Sequence, residues 1–292
     1  MKAAAFDYVR AATVDEAVHL LSENSSAKLL AGGQSLIPAL NLRLMSPDLL
    51  IDIGGLHALR GIRVDGGAVK IGALTRHAEL LVSPDIAAHA PLLVQAMPHI
   101  AHPAIRNRGT IGGSLAHADP ASELPACVLA LGATLVLRSR AGERRVAADS
   151  FFTGLYQTAL APDEILTGIE FPAAQADTRV YFHEFARRSG DYAIVGLAAQ
   201  GRLQGERITE LRLAFFGVGE RATLCPAAAA ILMQTASPQA VADAQAALAR
   251  DLSPQNDHQA SSAARMHLAR VLLARCANHI AGRPPMAESR SA

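Results

Sequence analysis

The chain has 292 residues, 50% of them apolar and 18% charged, and its 27 Lys plus Arg against 26 Asp plus Glu give a formal charge of +1. This is the profile of a globular chain with ample core material in one or two domains, and it excludes a disordered or fibrous chain. The near-neutral balance gives no electrostatic reason to expect nucleic acid or an anionic membrane as partner.

The segment from Met1 to Asp7 turns charged early and lacks the apolar centre of a signal peptide, so the sequence reads as cytoplasmic. No apolar run approaches the roughly 20 residues that cross a bilayer; even 124–137 is short and holds Pro125 and Gly132. Thr13-Val14-Asp15-Glu16 is a capping box that opens a helix with Ala17, Val18, Leu20 and Leu21 on one face. Residues 28–31 then read as a buried strand running into Gly32-Gly33-Gln34-Ser35, after which 36–44 recover helical spacing. A second strand, 48–53, stops at Gly54-Gly55, and these elements make a small α/β unit. Residues 61–64 and 69–72 flank an Asp65-Gly66-Gly67 turn, which predicts a hairpin.

Helices are expected over 75–81 and 91–101, then a loop over 102–114, a helix over 121–131, and strands at 134–138 and 143–146. The strand 165–171 ends at Pro172, and the small, polar stretch 173–178 is the best linker in the chain. Beyond it come strands at 180–185, 193–203 and 208–218, then helices at 225–234, 238–250 and 261–280. The expected architecture is therefore α+β. A first domain spans 1–174, in two α/β subdomains of about 1–58 and 59–174; a C-terminal domain of three strands and three helices spans 175–282; 283–292 form a frayed Pro-, Ser- and Arg-rich tail.

Cys127, Cys225 and Cys276 are far apart and form no iron-sulfur spacing, and Cys127 lies in an apolar stretch suited to an inert thiol. The histidines form no H-x-x-x-H or H-E-x-x-H pair, so no metal site is expected. The chemistry lies in two glycine turns. Gly32-Gly33-Gln34-Ser35 stands between a strand and a helix, where glycines permit positive φ and close approach, so that backbone N–H groups aim at a phosphate. Read alone, it is more readily a tight turn without a ligand, since it matches neither G-x-G-x-x-G nor the Walker loop. Arg108-Gly109-Thr110-Ile111-Gly112-Gly113-Ser114 is a second such turn, and the pair suits a diphosphate gripped from two sides, hence a dinucleotide. Gly33-Gln34-Ser35-Leu36-Ile37 lacks the final glycine of a G-x-S-x-G hydrolase elbow.

Three stretches, Leu30-Ala31-Gly32-Gly33-Gln34-Ser35-Leu36-Ile37-Pro38, Arg106-Asn107-Arg108-Gly109-Thr110-Ile111-Gly112-Gly113 and Arg187-Arg188-Ser189-Gly190-Asp191-Tyr192-Ala193, stand in order along the chain. They resemble the FAD-binding medium subunit of the xanthine dehydrogenase and carbon monoxide dehydrogenase family, over nearly the whole length. The resemblance implies a two-lobed FAD domain of the PCMH, vanillyl-alcohol oxidase-like type ahead of the C-terminal domain. It implies non-covalent FAD on Leu29, Leu30, Ala31, Gly32, Gly33, Gln34, Ser35 and Leu36, and on Thr110, Ile111, Gly112, Gly113 and Ser114. Ser114 stands where relatives often have Asn or Asp, and Glu123 where they usually have an aspartate on the ribose or adenine side. Leu166 matches an apolar residue near the adenine, Ile100 a position near the isoalloxazine, and Tyr192 an aromatic over that ring. His183 and Glu184 stand near where some relatives carry a lysine. No side chain is expected to act as a catalytic acid, base or nucleophile.

The resemblance further implies a large molybdenum-pterin partner, which carries the substrate pocket, and a small partner with two iron-sulfur clusters that feed this FAD, two copies of each chain forming a heterohexamer. The alternatives are a stand-alone flavin reductase or oxidase and a non-catalytic assembly subunit.

Overall fold

The computed structural model describes residues 2–283, and the expected tail beyond residue 283 lies outside them. Contacts divide the chain into two compact units. One consists of Met1–Ala90, Ala101–Asp119 and Ala133–Ala173, and the other of Pro91–Ile100, Pro120–Gly132 and the chain from Ala174 onward. Two segments of the expected first domain therefore belong to the unit that holds the C-terminal residues.

The first unit opens on a parallel three-stranded sheet in which Leu49–Asp52 lies between Asp7–Arg10 and Lys28–Leu30. The helix Val14–Glu23 crosses between its outer strands, started as the sequence requires. Thr13 Oγ1 accepts from Glu16 N at 3.1 Å, and the Glu16 carboxylate accepts from Ala12 N at 2.7 Å. Its apolar face buries Ala17, Val18 and Leu21 against Ile51, Ile53, Leu56 and Leu74. The larger sheet of this unit is antiparallel and five-stranded, in the order Ile62–Asp65, Ala68–Gly72, Ile165–Pro172, Thr134–Ser139, Gly142–Ala147. The first hairpin turns on Gly66 and Gly67 at φ 57° and 77°, the left-handed pair that a two-residue turn of right-twisted strands demands. The stretch expected as a loop over 102–114 contains two short helices, Pro103–Arg106 and the start of Ile111–His117. The second begins at Thr110, whose hydroxyl accepts from Gly113 N at 3.2 Å.

In the second unit, Thr178–Phe185, Val195–Gln204 and Arg207–Phe216 form an antiparallel meander, extended at one edge by the two-residue strand Thr223–Leu224 that the sequence reading left out. Three helices follow, Pro226–Gln234, Pro238–Asp251 and Ser262–Ile280, and pack on the sheet through Leu197, Leu213, Phe215, Leu232, Leu248, Leu272 and Leu273. The helix Glu123–Ala130 joins this unit because all eight of its residues are buried, which leaves it no solvent face. The Arg212 Nε donates to the Leu129 carbonyl at 2.8 Å near the helix end. Among the described residues no helix is long and apolar enough to cross a membrane.

Candidate cofactor-binding site

A cleft of about 640 Å³ opens in the first unit where the parallel sheet ends. Its floor is the turn after Lys28–Leu30, with Leu30, Ala31, Gly32, Gly33 and Gln34 on the wall. Gly33 takes φ +74°, a left-handed conformation open to glycine at little cost. The backbone N–H groups of Gly32, Gly33, Gln34 and Ser35 donate to no acceptor among the described residues, and the Gln34 amide folds back onto the Gly32 carbonyl at 3.0 Å. Partly exposed main-chain donors grouped in this way are what a phosphate requires.

The second glycine turn meets the first directly. A Cβ on Gly32 would lie 2.3 Å from the Arg108 carbonyl oxygen and 3.0 Å from Gly109 Cα, so only glycine lets the two main chains approach this closely. Yet the two turns use their amides differently. Ile111 N donates to Thr75 O at 3.0 Å, Gly112 N to Ala73 O at 2.8 Å, Gly113 N to Thr110 Oγ1 at 3.2 Å and Ser114 N to Thr110 O at 3.1 Å. Those four N–H groups are spent inside the protein: the segment 73–77 runs alongside and takes two of them, and Thr110 takes the other two. Thr110 itself lines the cleft, while Ile111 and Gly112 are buried. What the second turn offers a ligand is Thr110 and side chains, in place of the row of amides expected from its glycines.

Charge is supplied mostly by residues that no motif marked. Arg10, Arg60, Arg76 and Arg108 all line the cleft, with Asp52 as the one carboxylate. Asp52 braces the turn that follows it. Its Oδ1 accepts from Gly54 N at 2.7 Å and its Oδ2 from the Tyr8 hydroxyl at 2.6 Å, a bond that raises the Tyr8 pKa. Arg60 Nη2 donates to the Gly54 carbonyl at 2.6 Å, and the Arg10 guanidinium packs where a Cβ on Gly55 would fall. Four guanidinium groups around one acid favour a dianionic group, and Arg presents donors in a geometry that matches phosphate oxygens. Of the four, only Arg108 stood in a stretch that the sequence singled out; Arg10, Arg60 and Arg76 are isolated in sequence and converge through the fold.

The remaining expected contacts lie elsewhere. Leu29, Ser35 and Leu36 flank the cleft wall in sequence without lining it, and Leu166 is buried beside a bulge in Ile165–Pro172, paired with Leu137. Ile100, Glu123 and Tyr192 belong to the second unit. Ile100 is buried after the short 3-10 turn Met97–His99, and Glu123 is buried at the first position of its helix. Glu184 is also buried there, with one carboxylate oxygen 3.4 Å from His99 Nδ1; this pairing raises the His99 pKa. Tyr192 is 61% exposed just ahead of Val195–Gln204. Cys127, Cys225 and Cys276 are buried thiols whose pKa values burial pushes upward, as suits inert core residues. Among the described residues no cluster of His, Cys, Asp and Glu is placed to hold a metal ion.

The cleft's grouped amides and arginines are the chemistry that a diphosphate requires. The family model described as the FAD binding domain in molybdopterin dehydrogenase matches residues 4–174, and that of the CO dehydrogenase flavoprotein C-terminal domain matches residues 180–280. The 6-hydroxypseudooxynicotine dehydrogenase complex subunit alpha of Paenarthrobacter nicotinovorans is 41% identical over 283 residues, 94% of either chain. The carbon monoxide dehydrogenase medium chain of Hydrogenophaga pseudoflava is 40% identical over 89% of this chain and 94% of its own length. A solved structure of carbon monoxide dehydrogenase from Hydrogenophaga pseudoflava, in a form lacking the Mo-pyranopterin moiety, superposes with a TM-score of 0.94 over 97% of this chain and 99% of that one, at 39% identity.

Proposed function

Since this chain belongs to the FAD-binding medium-subunit family of the molybdenum hydroxylases, we propose that it takes electrons from the iron-sulfur clusters of a small partner chain and passes them to an external acceptor. A large molybdenum-pterin chain hydroxylates the substrate, and two copies of each chain make a heterohexamer. Residues 1–174 act as the cofactor domain and 175–282 as the C-terminal domain, and the complex works in the cytoplasm.

The observation that carries this reading is one cleft lined by four arginines and by Gly32, Gly33 and Gln34, residues of a turn whose amides from Gly32 to Ser35 are unspent. The diphosphate is assigned to that cleft, with Leu29 to Leu36 on one side and the Thr110 to Ser114 turn on the other. Arg10, Arg60, Arg76 and Arg108 balance its charge, and Asp52 keeps the turn after it in place. Contacts from Leu166, Ile100, Glu123 and Tyr192 to the same FAD belong to this proposal. When bound, FAD supplies exchange between one-electron and two-electron carriers; the protein holds and orients it.

The test is to express the chain alone and beside its genomic neighbours, then compare size, flavin and metal content. The expected result is a yellow lone chain that releases FAD on acid precipitation, and a larger complex carrying molybdenum and iron with the neighbours. A lone chain that oxidises an organic substrate at full rate without either metal overturns the subunit reading. Colour that stays with the acid pellet overturns non-covalent binding. Tyr192→Ala is expected to keep FAD while changing flavin fluorescence, and an unchanged emission spectrum returns Tyr192 to an ordinary surface residue.

A further inference from the structure

His77 opens the helix His77–Val82, and its backbone N–H donates to the Gly109 carbonyl at 3.0 Å, tying it to the second glycine turn. The imidazole is 3% exposed. Its Nε2 lies 3.2 Å from Ser114 Oγ, and its Nδ1 is sealed from solvent with no hydrogen-bond partner among the described residues. The ring packs under Gly109, where an added Cβ would come within 3.0 Å of it. Burial holds its pKa down at about 4, with the Arg106 charge acting the same way and a hydrogen bond from the ring to the Thr110 backbone opposing both, so the ring is neutral in ordinary buffers.

A neutral imidazole carries one N–H, and the geometry decides where it sits. Placed on Nδ1, it would be a buried donor facing no acceptor, and Ser114 would have to give its own hydrogen to Nε2. Placed on Nε2, it is donated to Ser114 Oγ, and the atom left buried is a bare lone pair. An orphaned buried N–H is the rarer and costlier state, so the Nε2–H form is the stable one. Ser114 Oγ is then an acceptor towards His77, and its own hydrogen points elsewhere. Helical serines often return that hydrogen to the carbonyl four residues back, but Ser114 Oγ makes no other hydrogen bond among the described residues. With the amides of 111–114 already spent, this hydroxyl hydrogen is a donor the second turn still has to give. Ser114 stands one helical turn beyond Thr110, which lines the arginine cleft.

We propose that His77 is a positioning residue: by donating from Nε2 it fixes Ser114 Oγ as an acceptor, so that the serine hydroxyl presents its hydrogen to an oxygen of the FAD diphosphate. This rests on the assignment of the Thr110 to Ser114 turn to the diphosphate. Glutamine places an amide nitrogen near the position of Nε2 and keeps the donor, whereas leucine fills the space without one.

The test titrates FAD into the FAD-stripped full-length chain, followed by flavin fluorescence, and records the ³¹P resonances of the bound diphosphate. His77→Leu and Ser114→Ala are each expected to weaken FAD by about tenfold, and the double variant by no more than either alone, since both remove one donor. His77→Gln is expected to stay within about threefold of the parent, and the ³¹P resonances to shift in the first two variants and hold in the third. Losses that multiply in the double variant, unchanged ³¹P resonances in Ser114→Ala, or parental affinity in a folded His77→Leu each overturn the proposal. Where His77→Leu does not fold, Ser114→Ala and His77→Gln decide it. If the parent binds FAD and neither Arg108→Ala nor Gly33→Val weakens it, the diphosphate assignment falls first.

Discussion

Replacing Gly32 by alanine adds one methyl group at the point where the two glycine turns touch. That methyl would stand 2.3 Å from the Arg108 carbonyl oxygen, 2.9 Å from its carbonyl carbon and 3.0 Å from Gly109 Cα. An ordinary carbon-oxygen contact is about 3.4 Å, so the turns must separate by roughly 1 Å, and every atom in the way is main chain that no rotamer change can move. Overpacking of this kind costs about 1–3 kcal/mol, which on the cofactor scale is a weakening of about 5- to 150-fold. Gly33→Ala is the internal control. Its Cβ would meet only side-chain atoms, Ile37 Cγ1 at 3.1 Å and Leu30 Cδ1 at 3.2 Å, and its main cost is the φ of +74°. A left-handed alanine costs about 1–2 kcal/mol, so the two variants are expected to rank with Gly32→Ala the weaker FAD binder. FAD dissociation constants of the full chain, measured by fluorescence beside thermal melts of the FAD-free forms, check this. A folded Gly32→Ala chain that binds FAD within twofold of the parent refutes the argument that cofactor binding depends on the close approach of the two turns.

Gly112→Ala is expected to damage the fold before the cofactor, since its Cβ would lie 2.5 Å from Ala73 Cβ and 2.7 Å from the Ala73 oxygen to which Gly112 N donates; a lowered melting temperature of the FAD-free protein checks it, and an unchanged one counts against it. Arg108→Ala is expected to weaken FAD by about three- to tenfold and to flatten the salt dependence of binding, because one cation is removed from a cleft that holds four; titrations at low and high salt decide. Stability is expected to fall as pH drops from 6.5 towards 4. Folded His77 titrates at about 4, below its unfolded value, so the unfolded chain binds the extra proton throughout that window. By pH 5 the loss relative to neutral pH is about 2 kcal/mol, and His77→Gln lacks it; urea melts at pH 7 and 5 that show equal losses in both proteins refute this.

Most of residues 13–72 were legible because local rules and tertiary structure agree there, whereas the edge strand Asp7–Arg10 carries no marked pattern of its own and is held by its pairing with Leu49–Asp52. The Thr13 and Glu16 box starts its helix, strands run into glycine turns, and the Gly66-Gly67 hairpin closes in register. The three C-terminal helices begin within one residue of expectation, each carrying enough apolar periodicity or a serine cap to announce itself. The helix Ile111–His117 was hidden for a physical reason. It contains two glycines that local propensity counts against a helix, and it is held by bonds to Thr75 and Ala73, some forty residues away in sequence. The allotment of Glu123–Ala130 to the second unit had a readable signal, an apolar run with no polar face, but a single cut at residue 174 could not express it. Arg10, Arg60 and Arg76 left no trace at all, since an arginine's address in a cleft is set by sheet order and not by its neighbours in sequence.

The glycines that point to a dinucleotide therefore act in distinct ways, and the distinction explains why a motif is stronger evidence than any one of its residues. Gly33 supplies a backbone angle, Gly32 a gap between two main chains, Gly112 room for Ala73, and Gly109 room for the His77 ring. Of the amides in the two turns, the first turn keeps four unspent while the second commits four to holding itself against residues 73–77 and its own cap. A turn that is rigid because its donors are spent can serve as the fixed wall against which a turn with unspent donors is set. The positive charge arrives separately, on side chains gathered from four places in the chain, which is how a protein with a formal charge of +1 presents a strongly cationic cleft. Conformation, donors and charge are thus furnished by different residues, so their loss is expected to register in different measurements: Gly112 in the melting temperature, Gly32 in affinity, and Arg108 in the salt dependence.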